Sequence, residues 1–156
     1  MNKKIIFTLM ILCVAVASVS SVSAWWIFGG GSDVTINGVD FHIPEGFDDV
    51  TQDTININTA YEAYTYTNPE THDYFSIAVY DNPNDEQNTI NNLINMHYKK
   101  VDIKGKEVYY TMLVSSVNSR YDYVYLDNGK YISMEVPIWC DAGGLNSEEL
   151  VNEIIK

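Results

Sequence analysis

Beyond Ser32 the chain alternates polar and apolar residues over long stretches, and a period of two marks β-strands with one buried face. Alternation predicts strands at Val34 to Ile36 and Val39 to Ile43, on either side of Asn37-Gly38, a dipeptide suited to tight hairpins. Pro44-Glu45-Gly46 ends that unit. Strands are expected next at Ala60 to Thr67 and Tyr74 to Tyr80. A helix from about Asp85 to Tyr98 follows, because Ile90, Leu93, Ile94 and His97 recur at helical spacing, with Asn84 and Asp85 at cap positions. The series then starts again, with strands at Glu107 to Ser115, Tyr121 to Leu126 and Lys130 to Val136, the last two joined by Asn128-Gly129. A second helix runs from about Ser147 to Lys156. Asn146 with Glu149 opens it in the manner of a capping box, and Leu150, Val151, Ile154 and Ile155 form its apolar stripe.

The two series also match in residue type. Val34 to Gly38 (VTING) parallels Val101 to Gly105 (VDIKG), Tyr64-Thr65-Tyr66 parallels Tyr123-Val124-Tyr125, and Tyr74 to Val79 (YFSIAV) parallels Tyr131 to Val136 (YISMEV). Their order is unchanged. The reading is an α+β domain in which an antiparallel sheet of about six to eight strands carries two helices on one face, built by duplication of a strand-strand-strand-helix unit. Alternation points Phe75, Ile77, Val79, Ile132, Met134 and Val136 into the core and Tyr74 and Tyr131 outward. Tyr64 and Tyr66 fall in phase, as do Tyr121, Tyr123 and Tyr125. Each of these middle strands therefore presents tyrosines on a single face. Such a stripe is a candidate binding surface, since rings with hydroxyl tips stack on sugars or grip peptides. Cross-strand aromatic pairs also stabilise sheets, so the same stripe has a purely structural reading.

The N-terminus follows another pattern. Lys3 and Lys4 precede an unbroken apolar run from Ile5 to Ala17, and Ser18 to Ala24 holds only Ser, Val and Ala, ending in Val22-Ser23-Ala24. This is the order of a signal peptide with a small-x-small cleavage site. The same segment, kept, is long enough to cross one hydrocarbon core of about 30 Å as a helix, and Trp25, Trp26 and Phe28 would then stand at its outer interface. Residues 5–28 would hold the membrane in that case. Either way the expected organisation is a signal peptide or anchor over 1–24, an aromatic and glycine-rich tether over 25–33, and one extracytoplasmic domain over 34–156.

Charge narrows the partners. The chain carries 9 Lys and Arg against 21 Asp and Glu, for a net charge of −12, and loss of Lys3 and Lys4 with the export segment makes the remainder more negative. Nucleic acid and anionic lipid surfaces are disfavoured by that field. Cys140 is the only cysteine outside the export segment, so no intrachain disulfide is expected in a cleaved protein. His42, His72 and His97 occur singly, without a ligand at metal spacing, and no nucleophile elbow or phosphate loop is present. No metal or cofactor is expected. The acids around Asp81, Asp85 and Glu86 read as helix-start residues facing the dipole, since Pro83 interrupts the spacing of a calcium loop.

From Val101 onward, Gly105-Lys106-Glu107-Val108-Tyr109-Tyr110, the Tyr125 to Tyr131 hairpin and Ser147-Glu148-Glu149-Leu150 follow one another. In this respect the chain resembles an extracytoplasmic domain at the C-terminus of bacterial membrane-anchored anti-sigma-type proteins. The whole chain, with its Gly38 to Phe47 opening (GVDFHIPEGF), is similar to small exported proteins of methanogenic archaea. Both resemblances imply a location outside the cytoplasmic membrane. The residues before the apolar segment, Met1 to Lys4, do not resemble a sigma-binding region, so the regulatory role is not expected to carry over, and neither resemblance supplies catalytic residues. The expected function is a non-catalytic, exported or membrane-tethered binding module for a surface protein, a peptide or a wall polymer, with Tyr64, Tyr66, Tyr121, Tyr123 and Tyr125 as candidate contacts. The alternative is a small extracellular hydrolase using Cys140 or a His-Asp pair such as His72 and Asp73.

Overall fold

A computed structural model describes residues 30–52, 61–82, 84–115, 119–138 and 147–156. The expected export segment, Cys140 and Asn146 lie outside the described residues. Among the described residues nine strands and two helices follow in the order β1 (Ser32–Ile36), β2 (Val39–Ile43), β3 (Asp49–Gln52), β4 (Tyr61–Thr67), β5 (Tyr74–Asp81), α1 (Glu86–Asn95), β6 (Lys99–Ile103), β7 (Lys106–Leu113), β8 (Arg120–Asp127), β9 (Lys130–Pro137) and α2 (Ser147–Ile154). The architecture is the expected α+β. A seven-stranded antiparallel sheet runs β3-β4-β5-β9-β8-β7-β6, and β1-β2 form a separate two-stranded hairpin.

Local chemistry accounts for most of the element boundaries. Asn37-Gly38, Lys104-Gly105 and Asn128-Gly129 all hold positive φ at both residues, as the type I′ hairpin turn requires. Asp85 caps α1 by accepting the Asn88 backbone N–H at 2.9 Å through Oδ1. The helix ends earlier than its apolar spacing suggests. His97 takes a left-handed φ of 64°, its N–H donates to the Ile94 carbonyl, and the Tyr98 N–H reaches back to Leu93, which is a Schellman stop. Ile94 and His97 are consequently exposed, and the buried contacts of α1 are Thr89 and Leu93 with Ile90 beside them.

The inner face of the sheet carries Phe75, Ile77, Val79, Ile132, Met134 and Val136, as alternation predicts, all 1% exposed or less. Over it lie the β1-β2 hairpin, through Ile36, Phe41 and Ile43, and α2, through Leu150, Val151 and Ile154. The hairpin is tied down at its tip, where the Asn37 N–H donates to Glu62 Oε2 at 2.7 Å and Lys130 Nζ donates to Asn37 Oδ1 at 3.2 Å. Phe41 and Ile155 form a β-bridge.

The position of α1 corrects the sequence reading. It packs Leu93 on Tyr109 and Val124, whose neighbours Val108, Tyr123 and Tyr125 belong to the inner core. Successive strand residues point to opposite faces, so the two helices cover opposite sides of the sheet. The reason is space. Hairpin and α2 already fill the inner face, and the chain must still travel from β5 to β6 at the far edge, which leaves the outer face for α1.

Candidate functional site

The tyrosine stripe singled out by sequence lies on the inner face. Tyr66, Tyr123 and Tyr125 are 4%, 3% and 1% exposed, and Tyr64 and Tyr121 are half-buried at the margin of the same core. Strand pairing puts them there. Tyr64 is directly opposite Ile77, Tyr66 opposite Phe75, and Tyr123 opposite Met134, so they share the apolar side of the sheet. Tyr66 stacks on Phe75 with ring centroids 5.3 Å apart, and burial pushes its phenol up to about 12. Tyr123 stacks on Tyr110 and meets Ser147 Oγ at 2.9 Å, joining the sheet to the start of α2. The Lys106 ammonium sits 5.5 Å from the Tyr125 ring centroid. A ligand arriving from solvent does not reach the three buried rings.

The outer face carries a different aromatic row. Register sets Tyr61 opposite Tyr80 and Tyr80 opposite Tyr131. Tyr61 and Tyr80 stack at 5.1 Å with planes 8° apart, and Tyr80 meets Tyr131 edge to face at 6.0 Å. Alternation alone points Tyr131 outward, but only the strand pairing assembles the row. Next to it α1 leaves an open groove of about 360 Å³, lined by Tyr80 and Tyr131 on the sheet side and by Asn92, Leu93 and Met96 on the helix. Asn82 also lines it. Its side-chain oxygen accepts from Thr89 Oγ1 at 3.2 Å and from the Asn84 N–H at 3.3 Å. Asp81 on the rim is paired with Lys130 at 2.5 Å.

Away from the groove the outer face turns polar. Thr65 and Ser76 share a hydrogen bond of 2.8 Å across β4 and β5. Asp122, 8% exposed, accepts from the Tyr98 hydroxyl at 2.5 Å and from Ser133 Oγ at 2.8 Å. Glu135 stands directly across from Asp122. Burial raises the Glu135 carboxyl above its ordinary range and Asp122 adds to the shift, against the opposing pull of Arg120. Arg120 Nε lies 3.0 Å from Glu135 Oε2 as an ion pair but is not aligned as a hydrogen bond. Burial, followed by the bond to Asp122, likewise raises the Tyr98 phenol.

Of the groups in the hydrolase alternative, Cys140 lies outside the described residues, His72 and Asp73 are neighbours in the β4-β5 turn, and the other two histidines stand on separate elements. His42 on β2 pairs with Asp33 at 3.0 Å, and Asp33 also holds Lys156 at 2.8 Å. His72 is exposed in the β4-β5 turn, and His97 is the exposed residue that stops α1. Among the described residues no three His, Cys, Asp or Glu side chains converge as a metal site, and no helix is long and apolar enough to cross a membrane. Set against known proteins, the chain matches no family model and no curated protein.

Proposed function

We propose that this protein is an exported or membrane-tethered binding module, held outside the cytoplasmic membrane by its N-terminal segment, that engages its ligand with the outer face of the sheet. The observation that carries this reading is the groove between α1 and the Tyr80-Tyr131 end of the aromatic row. Aromatic rings and an apolar helix flank stand beside carboxamides in a concave surface, which is the usual composition of a binding site. The surface proteins, peptides and wall polymers expected from sequence all remain ligands of the kind this face suits.

Support for duplication is confined to the four middle strands, since VTING lies in the separate β1-β2 hairpin, VDIKG lies in the seven-stranded sheet, and the two helices take opposite faces. The shift that carries YFSIAV onto YISMEV takes Ile77 to Met134, and these two residues are direct partners in the β5-β9 pairing. The shift that carries Tyr64 to Tyr123 takes the pair Tyr64-Ile77 to the pair Tyr123-Met134. A pseudo-twofold between β5 and β9 therefore preserves register across four strands. It breaks at the groove, because the counterparts of Tyr61 and Tyr80 are Arg120 and Pro137. The binding face takes Tyr61 and Tyr80 from the first half-sheet and Tyr131 from the second, with α1 over them, so it is not repeated by the twofold.

Met96 is 64% exposed at the groove, so Met96→Glu places a charge in it at little structural cost. Material co-purifying with the full chain from its native envelope should be lost with Met96→Glu and retained with the inner-face variant Tyr123→Phe. Equal recovery with wild type and Met96→Glu would overturn the reading.

A further inference from the structure

We propose that the groove beside α1 takes a neutral saccharide, an inference that rests on the outer-face reading above and names its ligand class. Three observations converge on this chemistry. Ring surface from Tyr80 and Tyr131 forms one wall, and the apolar side of a sugar ring packs on such surfaces while its hydroxyls stay free to hydrogen-bond. Carboxamides from Asn82, Asn84 and Asn92 stand among Leu93, Met96 and Thr89 along the rest; Asn92 offers both a donor and an acceptor, as adjacent hydroxyls require, and Asn82 offers its NH2, since its oxygen already accepts from Thr89 and Asn84. Asp81 is the one charged group among the described lining residues, and Lys130 neutralises it at 2.5 Å. A cationic peptide would call for an unpaired carboxylate in the groove, and an anionic polymer for arginine or lysine.

The composition of α1 points the same way. Asn88, Asn91, Asn92 and Asn95 occupy four of its ten positions, although asparagine is among the weaker helix formers and competes for backbone hydrogen bonds. A helix needed only as cover would be better served by alanine, glutamate or lysine. Asn92 shows the conflict at one position, since it is exposed, costs helix stability and lies on the groove.

The test is titration of the purified full chain with cellobiose, maltose, mannobiose and N,N′-diacetylchitobiose, followed by saturation-transfer NMR and tyrosine fluorescence, with a lysine-rich peptide run in parallel. At least one saccharide should bind with Kd at or below about 1 mM. Asn92→Ala should weaken that binding about tenfold while thermal stability stays level or rises, an outcome that a merely structural asparagine does not give. Absence of binding by all four, binding unaffected by Asn92→Ala, or binding of the peptide alone would overturn the proposal. Failure of the parent reading is distinguishable: if Met96→Glu abolishes envelope co-purification while no saccharide binds, the face stands and the ligand class falls; if Met96→Glu changes nothing, the face itself falls.

Discussion

Asp122 sits near the centre of the outer face at 8% exposure, and two hydroxyls, from Tyr98 and Ser133, hold a carboxylate there. Loss of the Tyr98 hydroxyl leaves Asp122 with the Ser133 donor and with one buried carboxylate oxygen less well satisfied. Tyr98→Phe should therefore lower stability by about 2 kcal/mol, read by equilibrium denaturation, with little effect on packing because the ring is kept. Glu135 presents the opposite case. Its carboxyl is raised in the folded state by burial, so the folded protein holds that proton more tightly than the unfolded chain does. The associated stability is present below the ordinary glutamate range and is lost as pH rises through the folded value. Glu135→Gln should stabilise the domain near pH 7 and have no effect near pH 4, roughly the ordinary glutamate value; a denaturation series across that window checks the sign. Asp33 and Glu107 act in the reverse direction. Their carboxyls are lowered, chiefly by hydrogen bonds to Lys156 and Lys100 respectively, and their contributions are lost as pH falls.

Among the elements, the β1-β2 hairpin depends on its turn more than on its length. Asn37 combines a left-handed φ of 43° with bonds to Glu62, to the Val79 carbonyl and from Lys130. Asn37→Ala keeps the backbone donor but strains the turn and removes the side-chain links. The expected loss is about 2 kcal/mol, with faster hydrogen exchange localised to 32–43. How much of the fold could be read from sequence follows from the same local signals. Asn-Gly turns, the Asp85 cap and the Leu150-Val151-Ile154-Ile155 stripe act through near neighbours, and the elements they define stand where alternation and helical spacing put them. β3 escaped because all four of its residues are exposed, which leaves no alternation to detect. β6 escaped because Lys99 and Lys100 hide the short alternation of Val101 and Ile103. The end of α1 was misplaced because His97 continues the apolar spacing while its backbone takes the left-handed stop.

For the molecule as a whole, what could not be read locally was which face meets solvent. Tyr64, Tyr66, Tyr121, Tyr123 and Tyr125 are in phase on their strands, but phase identifies a common face without saying which one. Pairing with Phe75, Ile77 and Met134 decides it, and the inner face then takes hairpin and α2. The outer face retains α1, the Tyr61-Tyr80-Tyr131 row and the groove between α1 and the Tyr80-Tyr131 end of that row, all brought together by residues distant in sequence. Under the proposed function, export places this domain outside the cytoplasmic membrane, its acidic surface keeps it off nucleic acid and anionic lipid, and the groove is where it meets its ligand. In-cell photo-crosslinking tests that claim most directly, with the reactive residue placed at Met96 on the groove or at exposed Asn152 on α2. Adducts formed from position 96 and absent from position 152 are the predicted result; adducts from 152 alone, or from neither position, would contradict it.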